Sequence, residues 1–384
     1  MKTANKKTAE VVIIGGGIMG LSTAYHLAEK KCRDVAVLEK ELLAQASTGL
    51  SVGGIRQQFS HPANIRLSQE SVKVFADFQH QFGVDINFRQ VGYLFLTERE
   101  DIWKEFSTAV KTQRELGVPV EVLSPGEIEK RWPYLNTDGL RGGTFGPEDG
   151  YADPYQAAMG YAKACRNSGV VIEEKKEVTA IITRNGRVTG VQTPKGNISS
   201  PVVVIAAGAW AAQAGKTAGL DLPVTPYRRQ VFMTKEFDAV PKPVPLVIDQ
   251  DTAFYFRGED PGLLMGMSDP DEPPGFHTHV DRNFLEKVIE AAVHRAPVLE
   301  KARILRGWGG LYAVTPDDNP IIDSLPVEGL YCAGGFSGHG FQHAPAVGRV
   351  TADLILKKRT DFDLEPFRYD RFEESPGDGE KRVV

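Results

Sequence analysis

Three glycines and one acid carry the most specific chemistry in this sequence. Gly15, Gly17 and Gly20 spell GxGxxG, and Glu39 follows nineteen residues after the last of them. The first glycine permits a tight turn. The second lets the backbone approach a pyrophosphate, and the third lets a helix pack closely on its strand. The acid accepts hydrogen bonds from ribose hydroxyls and repels a 2′-phosphate, which disfavours NADP. A second set of residues offers donors to a small polar ligand: Arg56 behind two glycines, Tyr255 between Phe254 and Phe256, Tyr312 before a Pro–Asp turn, His339 between Gly338 and Gly340, and Gln342. For Arg56 and His339 the glycine setting favours a site over a surface or core role. Tyr312 leans the same way, while Tyr255 fits a strand aromatic equally well.

The elements that must position these groups are legible around them. Residues 11–14 form an apolar run ending at glycine, as in a strand buried on both faces of a parallel sheet. Ile18, Leu21, Ala24, Leu27 and Ala28 then recur at helical spacing, and residues 34–38 read as a second buried strand ending at Glu39. The helix N-terminus offers free N–H groups and a partial positive charge to phosphates. Strand, loop, helix, strand and acid in order make a chance turn a poor explanation, but NAD and FAD both use this unit.

The rest of the chain argues for FAD. No second complete fingerprint is present, as a two-dinucleotide flavin reductase would need. The nearest candidate, GGFSGHG at 334–340, follows a strand-like 330–333 and reads as a loop before a helix over 344–357, with Pro345 in its first turn. Residues 46–59, ASTGLSVGGIRQQF, form a small-residue loop that suits a planar ring approaching backbone. The stretch 170–204 is strand-rich with an Asn185–Gly186 hairpin, and a strand over 202–205 runs into Ala206, Ala207 and Gly208. Strands over 230–234, 246–249, 252–257 and 263–267, beside a helix over 281–295, read as an antiparallel sheet.

Composition sets bounds. At 384 residues the chain exceeds one ordinary domain. The net charge of −5 argues against a nucleic-acid partner. Cys32, Cys165 and Cys332 are widely spaced without CxxC, which suits a reducing cytoplasm rather than a disulfide framework or a zinc site. Lys2, Lys6 and Lys7 before an apolar run imitate a leader, but Glu10 and the glycines interrupt it, and no stretch reaches the roughly 18 apolar residues of a membrane span. Two other motifs have plainer readings. Gly49, Ser51 and Gly53 spell GxSxG without the strand a hydrolase elbow requires. His277 and His279 form HxH without a third convergent ligand, so no metal is expected. Val74, Phe75, Phe78 and Phe82 have the spacing of an ordinary helical core.

Taken together, GGGIMG, GGIRQQF, VGYLFLT, DGYADPY, GLYAVTPDDNPIID and AGGFSGHGFQHAPAVG, in this order, resemble the D-amino-acid-oxidase-like superfamily of FAD-dependent oxidoreductases. Within it the chain is similar to the sarcosine oxidase beta subunit, the L-proline dehydrogenase beta subunit and glycine oxidase. The resemblance implies a Rossmann-type, glutathione-reductase-like FAD domain of mixed α/β and α+β class with an antiparallel-sheet substrate domain. The FAD domain takes residues 1–84, 141–220 and 306–370, the substrate domain 85–140 and 221–305, and 371–384 form the tail, whose Gly- and charge-rich part 375–384 is expected to be mobile. FAD contacts are expected at Gly15, Gly17, Ile18, Met19 and Gly20, at Glu39 and Lys40, and at Ser47, Thr48, Gly53, Gly54 and Ile55. Further contacts are expected at Val178, Ala207, Gly208 and Trp210, and at Gly310, Gly335, Ser337, Gly338, His339, Gly340 and Phe341. The implied reaction oxidises the C–N bond of a small amino acid such as proline, sarcosine or glycine by hydride transfer to flavin N5, and the imine is then released or hydrolysed. The implied partners are electron-transfer subunits of a hetero-oligomer, or otherwise further copies of the chain. An FAD-bearing assembly factor and a tRNA-modifying or biosynthetic flavoprotein are the other readings.

Two positions depart from the family pattern. Monomeric sarcosine oxidase has a lysine where this chain has Gln342, and glycine oxidase has an arginine matching Tyr312. The carboxylate anchor is therefore open among Arg56, Arg229 and Tyr255. The cysteine that holds FAD covalently in monomeric sarcosine oxidase aligns with Gly310, so non-covalent FAD is expected.

Overall fold

A computed structural model describes residues 6–373, 379 and 380. The apolar runs do form strands. Val11–Ile14 and Val35–Leu38 are buried along their whole length, because both faces of their sheet are covered. That sheet has six strands in the order Ile321–Ser324, Leu330–Gly334, Val202–Ile205, Val11–Ile14, Val35–Leu38 and Val171–Glu173. Its strands run parallel except Ile321–Ser324, which pairs antiparallel at the edge. Helices Ile18–Glu29, Pro154–Asn167 and Gly340–Ile355 cover one face, with Phe75, Phe78 and Phe82 in the same core. On the other face lies a three-stranded sheet whose hairpin turns at Asn185 and Gly186, both at positive φ (51° and 76°).

A second sheet has eight strands: Ile304–Val314, Thr225–Thr234, Gly262–Met267, Phe254–Glu259, Leu246–Asp249, Tyr93–Thr97, Gly142–Gly146 and Glu121–Leu123. All neighbours run antiparallel except Leu246–Asp249 and Tyr93–Thr97, which run parallel, so the expected antiparallel sheet is mixed at one step. Helix Arg282–Arg295, capped by Asp281, packs on it. Gly142–Gly146 and Ile304–Val314 are strands of this sheet, although the boundaries expected at 141 and 306 put them with the nucleotide domain.

Two expectations change. The last long helix begins at Gly340, four residues earlier than its proline suggested, so Pro345 sits in the helix interior and forfeits one backbone hydrogen bond. Most of residues 375–384, expected to be mobile, lie outside the described residues, but Glu380 among them is tied down, as is Arg371 before them. Arg371 pairs with Asp317 at 2.8 Å, and Glu380 accepts from Ser60 N, His61 N and Asn64 Nδ2 at 2.9–3.1 Å. Among the described residues no helix is long and apolar enough to cross a membrane.

Candidate active site

One cavity of about 520 Å³ runs from the carboxyl ends of the parallel strands to the face of the eight-stranded sheet. At its first end the glycine turn is held from beneath. Gly15 lies at φ 113°, and a side chain there would meet the Ala206 carbonyl at 2.4 Å. Gly16 N donates to Glu39 Oε2 at 2.7 Å, and Ile18 N donates to Thr48 Oγ1 at 3.2 Å. The acid after the second strand and the loop after it therefore fix the turn and the helix N-terminus at once. Lys40 Nζ sits 3.4 Å from the centroid of the Trp210 ring, and its burial lowers its pKa.

The far end is aromatic. Tyr93, Leu246, Ile248 and Tyr255 rise from three neighbouring strands, and Arg229, Val231, Gly310 and Tyr312 from two more. Burial pushes the phenols of Tyr93, Tyr255 and Tyr312 above their ordinary value, so all three stay protonated as donors. The Arg229 guanidinium lies 5.2 Å from the Tyr312 ring centroid. Gly338, at φ 99°, lets the loop close onto that ring, since a Cβ there would fall 2.3 Å from it.

Arg56 and Gln342 meet at the junction. Gln342 Oε1 accepts from Arg56 N at 2.7 Å, and Arg56 Nη1 donates to Gln58 O at 3.0 Å with its guanidinium 4.1 Å from the Phe59 ring centroid. Behind them Asp149 is fully buried. Its carboxylate accepts from Gln57 N at 2.9 Å and Gln58 Nε2 at 3.1 Å. Burial pushes its pKa up to about 7, against the pull of Gln58, Gln57 and the Arg56 cation. His339 is buried beside Phe59 and His343, with ring centroids 5.4 and 5.1 Å away. Burial first, then His343 and Arg56, hold its pKa well below the ordinary value, and neither ring nitrogen has a hydrogen-bond partner among the described residues.

Arg56, Tyr255, Tyr312, His339 and Gln342 all line this cavity, as do Gly15, Gly17, Ile18, Met19, Glu39, Lys40, Ser47, Thr48, Gly54, Val178, Ala207, Gly208, Trp210, Gly310, Gly335, Ser337, Gly338, Gly340 and Phe341. Gly20, Gly53 and Ile55 do not. A Cβ on Gly20 would meet the Gly15 carbonyl at 2.1 Å, one on Gly53 the Ala152 carbonyl at 1.9 Å, and Ile55 is wholly in the core. They shape the loops from behind. Tyr93, Val231, Leu246, Ile248 and Asp149 were not singled out from sequence. For the first four the signal was alternation along strands, which marks two faces without saying which one borders the cavity; Asp149 lies in the turn between Gly142–Gly146 and Gly150–Tyr151 and had no such signal. The GxSxG segment begins in the short helical turn Ser47–Leu50 and continues as extended loop, with Ser51 Oγ accepting from Gly53 N at 3.1 Å. Among the described residues no three His, Cys, Asp or Glu side chains gather as metal ligands.

Comparison with known proteins agrees with this geometry. Sarcosine oxidase subunit beta of Rhizobium meliloti is 32% identical, over 95% of this chain and 88% of that one. Rat mitochondrial dimethylglycine dehydrogenase is also 32% identical over 96% of this chain, which spans only 45% of that longer protein. The crystal structure of L-proline dehydrogenase from P. horikoshii superposes with a TM-score of 0.90 at 34% identity, covering 96% of this chain and 98% of that one. Glycine oxidase from Geobacillus kaustophilus gives 0.86 at 27% identity, covering 95% and 99%. Residues 10–354 match the DAO family, described as FAD dependent oxidoreductase. With nine-tenths of its length inside that match, the chain is a member of the DAO family and an FAD-dependent oxidoreductase.

Proposed function

We propose that the protein oxidises the C–N bond of a small amino acid carrying a secondary or primary amine. The observation that carries this reading is the single cavity joining a dinucleotide turn to an aromatic chamber bordered by two guanidiniums. The named activities of the relatives, on dimethylglycine, sarcosine, proline and glycine, fall in the same class.

The wall fits a flavin dinucleotide. The glycine turn, Glu39 and Thr48 would hold its nucleotide half. Gly310, Ser337, Gly338 and Gly340 line the other half, where His339 has buried ring nitrogens with no partner among the described residues. Bound FAD supplies the two-electron acceptor that C–N oxidation requires. The chain's residues do the rest. Arg56 and Arg229 border the chamber, and among the described residues no acidic side chain lines that end. Burial and two nearby cations both disfavour an ammonium, so the bound amine is held neutral with its lone pair available. The N-terminus of helix Gly340–Ile355 opens at the cavity and adds positive potential to it. No wall residue is assigned as a base. The parallel-sheet half is assigned to the nucleotide and the eight-stranded sheet to the substrate. With glycine at position 310, the flavin is assigned as non-covalent.

The test mixes the purified yellow protein anaerobically with proline, sarcosine, dimethylglycine, glycine and D-amino acids. Bleaching of the flavin band by one of them supports the reading. No bleaching by the whole panel sinks it, and favours an assembly or biosynthetic role. Reoxidation of the bleached protein by oxygen, by a dye or by a partner protein then separates oxidase from dehydrogenase. Acid precipitation should release the flavin into the supernatant.

A further inference from the structure

We infer that Arg229 is the carboxylate anchor and that the substrate enters with a single negative charge. This deepens, and rests on, the amine-oxidation reading above. The strand Thr225–Thr234 alternates its side chains, so Arg228 and Gln230 turn away from the cavity while Arg229 and Val231 face it. On Arg229, Nη1 is engaged with the Arg228 carbonyl at 2.9 Å. The Nε atom is buried and has no hydrogen-bond partner among the described residues, and Arg229 forms no ion pair among them. A buried donor without an acceptor is costly, and a ligand that supplies one recovers that cost. The neighbouring arginine shows what such an edge takes. Arg228 donates side-on from Nε to Glu272 Oε1 at 3.1 Å and from Nη2 to Oε2 at 2.8 Å, the bidentate fork that arginine offers to planar anions. Arg229 itself lines the cavity and carries no carboxylate partner among the described residues.

Arg56, the other guanidinium of the chamber, is already engaged by Gln58 O and by the Phe59 and Phe95 rings. Its charge is balanced from behind by Asp149, reached through Gln57 and Gln58. The remaining charged wall residues among those described are Glu39, Lys40 and Glu177, and all lie at the nucleotide end. With Asp149 ionised, the chamber holds one uncompensated positive charge. It therefore matches a monocarboxylate, and a second carboxylate would be buried without a partner. Tyr255 and Tyr312 border the same pocket and stay protonated, so they add neutral donors without adding charge.

The experiment titrates the FAD-loaded protein at pH 8.5 with two rings that cannot be oxidised as amines, pyrrole-2-carboxylate and pyrrole-2,5-dicarboxylate. Perturbation of the flavin spectrum reads their Kd. The wild type should bind the monoacid at least tenfold more tightly than the diacid. Arg229→Gln should lose at least tenfold for the monoacid, and Arg229→Lys should fall between, because it keeps the charge and loses the fork. Asp149→Asn should narrow the gap between the two ligands by leaving the Arg56 charge unbalanced. An unchanged monoacid Kd in Arg229→Gln, with flavin content and melting temperature intact, overturns the anchor. A wild type that prefers the diacid overturns the single-charge claim. The two readings fail separately. If no amine bleaches the flavin but the monoacid still needs Arg229, the anchor stands and the oxidation reading falls. If amines bleach wild type and Arg229→Gln with the same KM, the anchor falls and the oxidation reading stands.

Discussion

Asp149 is a buried carboxylic acid whose charge the fold tolerates only with help from Gln57, Gln58 and Arg56. Its pKa rises from an ordinary value near 4 to about 7 in the folded state. Between those values the unfolded chain has released a proton that the folded protein keeps. The contribution of Asp149 to stability is therefore full below pH ~4, is lost as the pH rises toward about 7, and changes little above that. Relative to Asp149→Asn, the wild type should lose up to about 1.4 kcal/mol per pH unit across that window. Urea midpoints of both proteins at pH 5, 6, 7 and 8 measure it, and a constant gap between them refutes it. A second prediction concerns Gly15. Alanine there must adopt φ 113° and press its Cβ to 2.4 Å from the Ala206 carbonyl. Gly15→Ala should purify without the yellow colour, and full flavin retention would show that the turn can relax. At this scale the fingerprint glycines and Glu39 were readable because their roles are local. Asp149 was not, since its partners lie some ninety residues earlier in the chain.

At the scale of elements, the decisive information is which face a strand presents. Arg228 and Arg229 are adjacent and chemically identical, yet one is buried against Glu272 and the other opens to the cavity. Only the neighbouring strands Gly262–Met267 and Ile304–Val314 determine that, and both faces of the sheet are covered, so polarity in the sequence does not mark them. The Arg228–Glu272 pair also fastens the loop that runs to helix Arg282–Arg295, since Arg228 Nη1 donates to His279 O at 2.8 Å. Arg228→Met should strand a buried carboxylate and cost about 3–5 kcal/mol, and Arg228→Met with Glu272→Leu should recover most of it. Chemical denaturation of the two variants decides; equal loss in both would mean that the pair contributes through shape rather than charge. The early start of helix Gly340–Ile355 is a lesson of the same kind. A proline reads as a helix start in sequence, but the loop that closes on Tyr312 needs the helix end one turn sooner.

At the scale of the whole molecule, fold class was legible because buried parallel strands and glycine turns repeat at three places, ending at Ile14, Ile205 and Gly334. The pairing of distant strands was not legible. Gly142–Gly146 and Ile304–Val314 look like neighbours of nucleotide-domain segments in sequence and join the other sheet in space. A fragment of residues 1–220 should bind no flavin, although it contains the complete fingerprint, and flavin fluorescence after gel filtration tests that. The same interleaving bears on how the protein is made. Val11–Ile14 lies between Val35–Leu38 and Val202–Ile205, and the loop that completes the cavity comes only after Leu330–Gly334. On the ribosome the first strand therefore waits with one edge open until Val202–Ile205 emerges, a condition that favours aggregation. The cofactor has nothing complete to enter until the loop after Gly334 emerges. Flavin shortage during expression should then appear as insoluble, nearly full-length protein rather than as soluble colourless enzyme, and riboflavin in the growth medium should act as a folding aid.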